Sequence, residues 1–241
     1  MTAGWSFARL RRTLTTTLTT TLTATLTTLR AATKCLVAYL ALAAAPLPRA
    51  RAHGFLADPA ARNVQHNSDY CPSCLNAGGP GVVFAHGRHA RYGVCGDPWN
   101  RPKHHEEGGK YATPPRVAGR YRAGGTLDAK VILTANHGGR WSLRLCPNPK
   151  RVTQRCFDRF LLRRADGRGP FTPVPGETSV FRVTYRLPKG VRCERCVLQW
   201  HYETGNSCNP PGIPGAVRGL PRCDRSTAGE AFWNCADIRI S

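Results

Sequence analysis

Apolar and polar residues alternate in five separate stretches of the second half of the chain, each with the period of two that belongs to a strand with one buried face. Leu127, Ala129, Val131, Leu133 and Ala135 share one face. Trp141, Leu143 and Leu145 continue the period after a turn at Asn136-His137-Gly138-Gly139, so strand, turn, strand is the simplest reading. Phe181, Val183, Tyr185 and Leu187 form the next set, followed by Leu198, Trp200 and Tyr202, then by Phe232, Asn234, Ala236, Ile238 and Ile240. Gly and Pro punctuate these runs, and no long amphipathic helix interrupts them. The pattern predicts an all-β fold, an immunoglobulin/fibronectin III-like β-sandwich with long disulfide-stapled loops and no internal repeat.

Ahead of the strands, the chain from about residue 64 to 115 is irregular and rich in Gly, Pro, Asn and His. A loop region of that length carries function or is stapled. His66, His86, His89, His104 and His105 lie in it and raise a second-metal reading. Exposed loop histidines are the favoured alternative, because no acid or cysteine partner recurs at ligand spacing.

Residues 1–52 read as targeting sequence. They hold no Asp or Glu, a basic lead (Arg9, Arg11, Arg12, Arg30, Lys34), an apolar run from Leu36 to Leu47, and a small-x-small site at Ala50-Arg51-Ala52. A Thr/Leu segment from Thr13 to Leu29 places Leu14, Leu18, Leu22 and Leu26 four apart. The leader is expected to be removed, leaving 53–241 as one secreted domain with no membrane attachment after processing. An organelle transit peptide and an uncleaved anchor are the alternatives.

Removal of the leader changes the charge. Seven of the 35 Lys and Arg leave with it, so 28 remain against 14 Asp and Glu. The mature chain is strongly basic, yet its cations are scattered without a Lys/Arg run or a nucleic-acid motif, so the charge is read mainly as solvated surface and no nucleic-acid partner is expected. Ten cysteines also remain: Cys71, Cys74, Cys95, Cys146, Cys156, Cys193, Cys196, Cys208, Cys223 and Cys235. An even number in an exported chain points to as many as five disulfides. Cys71-x-x-Cys74 and Cys193-x-x-Cys196 could instead form a zinc site, although 118 residues separate them.

Cleavage after Ala52 would make His53 the first residue. An N-terminal histidine offers its α-amine and its ring Nδ1 as a chelating pair, and a third nitrogen from a distant histidine would complete a T-shaped site that suits Cu(II). His137, in a Gly-rich turn at the end of a strand, is the candidate for that nitrogen.

His53-Gly-Phe-Leu-Ala-Asp-Pro, Gly93-Val-Cys-Gly-Asp97, Gly108-Gly-Lys-Tyr111, Leu133-Thr-Ala-Asn-His137, Arg144-Leu-Cys-Pro147, Cys196-Val-Leu-Gln-Trp200, Thr204-Gly-Asn-Ser207 and Asn234-Cys-Ala-Asp237 follow one another in that order. Together they resemble the lytic polysaccharide monooxygenases of auxiliary activity family 15. The resemblance implies one copper ion held by a histidine brace of His53 and His137. It also implies Phe232 at the axial position, Ala135 beside the open copper face and Gln199 as an outer neighbour of the site. Where relatives carry an aromatic near Val64 and a Trp after the Thr-Gly-Asn-Ser motif, this chain has Val64 and Cys208.

The function implied is oxidative cleavage of β-1,4-glycosidic bonds at C1 in an insoluble polysaccharide, chitin first and cellulose second. An external electron donor and H2O2 or O2 as co-substrate would complete the reaction of a monomer. Tyr70, Trp99 and Tyr111 are candidates for stacking on sugar rings or, equally, for packing under their loops. A non-catalytic secreted carbohydrate- or copper-binding protein on the same scaffold is the competing reading, and a basic polyanion-binding protein is a third.

Overall fold

The computed structural model describes residues 53–65, 71–86, 89–213, 217–224 and 229–241. The expected leader, His66 and Tyr70 lie outside them. Among the described residues no helix is long and apolar enough to cross a membrane.

Among the described residues nine strands follow in order: β1 (His53–Asp58), β2 (Val117–Tyr121), β3 (Thr126–Ala135), β4 (Arg140–Cys146), β5 (Arg163–Arg164), β6 (Thr172–Pro173), β7 (Val180–Arg186), β8 (Cys193–Glu203) and β9 (Ala231–Ile240). Three helices of one turn each, α1 (Arg62–Gln65), α2 (Pro80–Val83) and α3 (Gln154–Asp158), sit in the loops. The strands make two sheets, β1-β3-β7-β5 and β2-β9-β8-β4-β6, and every neighbouring pair is antiparallel except β2 with β9. This is the expected all-β sandwich.

The alternation read from the sequence is the alternation of burial. Leu127, Ala129, Val131 and Leu133 of β3 meet Trp141, Leu143, Leu145, Leu198, Trp200, Tyr202, Phe232, Ala236, Ile238 and Ile240 in one core between the sheets. The residues between them on β3 face outward. The turn at Asn136–Gly139 carries the chain from one sheet to the other, because β3 and β4 belong to different sheets. β1 is a strand that its short HGFLAD run did not announce as one.

β9 departs from simple alternation and is buried on both faces. Its odd-numbered residues face the early loops. Cys235 is bonded to Cys95, Trp233 stacks on Tyr92 at 4.6 Å between ring centroids, and Asp237 takes two bonds from Arg62, whose Nε and Nη2 donate to Oδ2 and Oδ1 at 2.8 Å each. Arg62 Nη1 also donates to His105 O at 2.8 Å. Burial alone would disfavour the Arg62 cation, but the bonds and charges of Asp237 and Glu107 hold its pKa above the ordinary guanidinium value.

The ten cysteines among the described residues form five disulfides: Cys71–Cys74, Cys95–Cys235, Cys146–Cys156, Cys193–Cys196 and Cys208–Cys223. Each Cys-x-x-Cys pair closes on itself, which removes the thiolates that a shared zinc site would need. Cys208 ties the late loop to Cys223.

The buried Arg62–Asp237 pair makes the loop region's attachment testable. Arg62→Met leaves Asp237 buried without its main partner and should cost about 3–5 kcal/mol in urea denaturation. A loss below about 1 kcal/mol would mean that Arg195, whose Nη1 lies 3.3 Å from Asp237 Oδ1, is partner enough.

Candidate functional site

β1 places His53. It pairs antiparallel with the end of β3, with His53 opposite Ala135 and Gly54 opposite Leu133 across a local irregularity. The approach is close enough that a Cβ on Gly54 would collide with the Leu133 side chain and come within 3.3 Å of the Trp200 ring, so only glycine lets β1 settle there. Asn234 pins the strand from the other sheet. Its Oδ1 accepts the Leu56 N–H at 2.9 Å, which explains an amide at an otherwise apolar position of β9.

His137 lies two residues beyond Ala135, in a turn held from several sides. Asn136 Oδ1 accepts the Gly138 N–H at 2.8 Å, while its Nδ2 donates to Thr178 O at 2.5 Å. Gly205 N donates to His137 O at 3.0 Å. Gly138 and Gly139 take φ of 64° and 88°, where a side chain is strained, and a Cβ on Gly139 would also run into Glu203 O. Tyr202 closes the arrangement from below: its hydroxyl donates to Gly138 O at 2.8 Å and lies 3.4 Å from the His137 N–H. Burial pushes that phenol well above its ordinary pKa, so it remains a neutral donor.

Phe232 lies between His53 and the Tyr202 that holds the His137 turn. Its ring lies edge-on to the His53 imidazole at 6.1 Å and stacks on Tyr202 at 6.0 Å. It is fully buried, so it belongs to the core and borders His53 at the same time. Ala135 is half-buried beside His53, and both histidines are half-buried as well. Among the described residues no group of three or more His, Cys, Asp or Glu is arranged to hold a metal. A set of two imidazoles and a terminal amine lies below that number.

The other candidates are elsewhere. Gln199 is on the face of β8 opposite to Trp200 and Tyr202, where its Nε2 donates to Val94 O at 2.7 Å and to Gln154 at 3.0 Å; these bonds tie the early loop to α3 and do not bring Gln199 to His53. Trp99 donates from Nε1 to Val82 O at 2.9 Å and meets His86 edge-on at 4.9 Å. Tyr111 packs on His105 at 4.8 Å, under Lys110. Both rings are half-buried by their own loops.

His105 is not the exposed loop histidine expected. It is buried, with Nδ1 2.8 Å from Asp97 Oδ1, and the same aspartate accepts its backbone N–H at 2.7 Å. That contact spans eight residues, a spacing that no ligand motif would have marked. Beside it, burial raises the Glu106 carboxyl to about 7, against the opposing bond from Cys95 N–H.

Sequence reasoning missed Asn136, Tyr202 and Asn234 as parts of the site. For Tyr202 and Asn234 the available signal was a polar atom on a core-parity position of a strand, which needs a buried partner; Asn136 lies in the turn, where no such pattern exists.

Residues 53–238 match the family described as lytic polysaccharide mono-oxygenase, cellulose-degrading. The chain is similar to a solved lytic polysaccharide monooxygenase AA15 from Thermobia domestica in the Cu(I) state, at 32% identity and a TM-score of 0.65, over 78% of this chain and 98% of that one. A chitin binding domain from Burkholderia pseudomallei matches at 13% identity and a TM-score of 0.41, over 79% of this chain and all of that one. An AA10 lytic polysaccharide monooxygenase from Streptomyces lividans matches at 15% identity and a TM-score of 0.40, over 78% of this chain and 99% of that one. No curated protein sequence matches.

The Tyr202 clamp has a specific consequence. Tyr202→Phe keeps the ring stack on Phe232 but orphans Gly138 O, and should lower stability by ~1–2 kcal/mol. Hydrogen exchange at the Gly205 amide, which bonds to His137 O, should speed up in the same variant. Unchanged Gly205 protection would show that the turn is held without the phenol.

Proposed function

The chain belongs to the lytic polysaccharide monooxygenases, and to auxiliary activity family 15 among them; from this premise we propose that it is a secreted, copper-dependent monomer that cleaves β-1,4-linked chitin, or cellulose second, by oxidation at C1. Membership makes it an oxidative polysaccharide-cleaving enzyme. The polymer, the regiochemistry and the copper ligands are the proposal.

The observation that carries the proposal is the pairing of His53 with Ala135, which puts the first histidine beside the strand end that leads into His137. Cleavage before His53 frees an amine, so the donor set becomes three nitrogens and no carboxylate, a combination that fits copper. The relative from Thermobia domestica was solved in the Cu(I) state. Five disulfides support an oxidising destination for the mature chain.

His53 and His137 would hold the copper, and the chemistry supplied there would be one-electron chemistry toward O2 or H2O2, with electrons from an external donor. The protein's own part is positional. Tyr202 and Asn136 hold the turn so that His137 need not be ordered when metal arrives. Phe232 offers no donor atom, so the side of His53 that it borders stays apolar. Both histidines are partly open to solvent, as a site that meets a solid polymer face requires.

Two measurements test this reading. Mass spectrometry of the soluble products should find C1-oxidised oligosaccharides released from chitin, and only when copper, a reductant and the oxygen co-substrate are all present. If neither chitin nor cellulose yields oxidised products, the binding-scaffold reading replaces the enzyme.

Secreted protein should begin His-Gly-Phe-Leu and bind one Cu(II), and His137→Ala should abolish its native EPR signal. An unchanged spectrum would remove His137 from the ligand set.

A further inference from the structure

We propose that the outer face of the β1-β3-β7-β5 sheet is a second binding surface, for a linear anionic polysaccharide, separate from the face that carries His53 and His137. The cations that are scattered in the sequence are brought together by strand register. Lys130 of β3 lies directly opposite Arg182 of β7, and Arg186 of β7 lies directly opposite Arg163 of β5. Their strand partners place all four side chains on the face away from the core, since Phe181 and Tyr185, which alternate with them on β7, are buried inside. Lys189 and Arg122, both exposed, extend the row past the end of the sheet, where the Lys189 side chain abuts Gly124.

Like charges set directly opposite on neighbouring strands repel, with side chains ~5 Å apart, and sequences avoid the arrangement unless something neutralises it. Two acids stand near, Asp58 and Asp128, and neither closes an ion pair with these cations among the described residues. None of the six cations takes part in an ion pair among the described residues. Of the two acids on the face, Asp128 accepts the Thr184 hydroxyl at 2.5 Å, and Asp58 lies opposite Lys130 without bonding to it. The acids that do neutralise arginines are used elsewhere, Asp237 and Glu107 on Arg62 and Arg195, and Glu203 on Arg140. Six of the mature chain's 28 cations therefore lie on this face or at its end without an ion pair among the described residues.

The shape favours an extended polyanion. The two opposed pairs are four residues apart along β7, ~13 Å, in a line along the strand that a stretched chain can follow. The outward residues of this sheet include a single aromatic ring, Phe55 of β1 opposite Ile132, which is no platform for successive bases, and among the described residues no helix projects from the face to enter a groove, so nucleic acid is the poorer fit. The Arg186–Arg163 pair lies level with Thr126, nine residues or ~30 Å along β3 from Ala135. A polymer held at that end leaves the histidine face free, so an acidic matrix could tether the enzyme while it works on a neutral polymer. This surface does not depend on copper.

The test uses the copper-loaded secreted protein, with heparin as the sulfated probe, polygalacturonate as the uronate probe and a DNA duplex as the competitor of another class. Binding to at least one glycan near 0.15 M salt is expected, weakening steeply as salt rises. Lys130→Gln, Arg163→Gln, Arg182→Gln and Arg186→Gln combined should weaken it by about tenfold or more and flatten the salt dependence. A charge-matched control with Lys150, Arg151, Arg155 and Arg159 changed to Gln around α3 should leave both within about twofold. Circular dichroism and melting confirm that both variants are folded. Equal losses in the two variants would mean that net charge alone is at work, tighter binding to DNA than to either glycan would assign the face to nucleic acid, and no binding to either glycan would end the proposal.

Discussion

Everything at the proposed centre depends on β1 lying against the last residues of β3. The pairing sets His53 opposite Ala135 and leaves His137 just beyond it, so two histidines 84 positions apart in the sequence come to one end of one sheet. A six-residue edge strand would be weakly held by one ladder alone. Gly54 permits its close approach to Leu133 and Trp200, and the Leu56 N–H reaches across the sandwich to Asn234. The position of the first histidine is thus determined by both sheets.

The same economy governs β9. Its even-numbered residues fill the core and border His53 through Phe232, while its odd-numbered ones anchor the loops through Cys235, Trp233 and Asp237. A strand buried on both faces ties the long irregular segment to the rigid scaffold, which is why that segment can be ordered with little regular structure of its own. Tyr202 adds the third tie. Its ring packs on Phe232 and its hydroxyl holds the His137 turn, so core packing and site geometry share one side chain.

Charge is distributed by the same logic. Acids are few and are spent on buried or half-buried arginines, where an unpaired charge would be costly. Four of the cations left over, Lys130, Arg163, Arg182 and Arg186, lie on the outer face of the β1-β3-β7-β5 sheet, where water tolerates them and where strand register sets them in opposed pairs.

Local pattern alone determined much of this protein. The period-two alternation marked β3, β4, β7, β8 and β9 and their inner faces, because a strand's side chains alternate whatever it pairs with. The ordered motifs identified the family, and they singled out His53, His137, Ala135 and Phe232, which the fold brings to one end of the sandwich. What pairs with what is a long-range matter that a period cannot encode. Only the tertiary structure decided that the Asn136–Gly139 turn crosses between sheets, that Cys95 joins Cys235, and that His105 is buried against Asp97. It likewise turned Gln199 toward Val94 and α3 and aligned dispersed arginines into a charged row, since these outcomes are set by the register and packing of segments far apart in the chain.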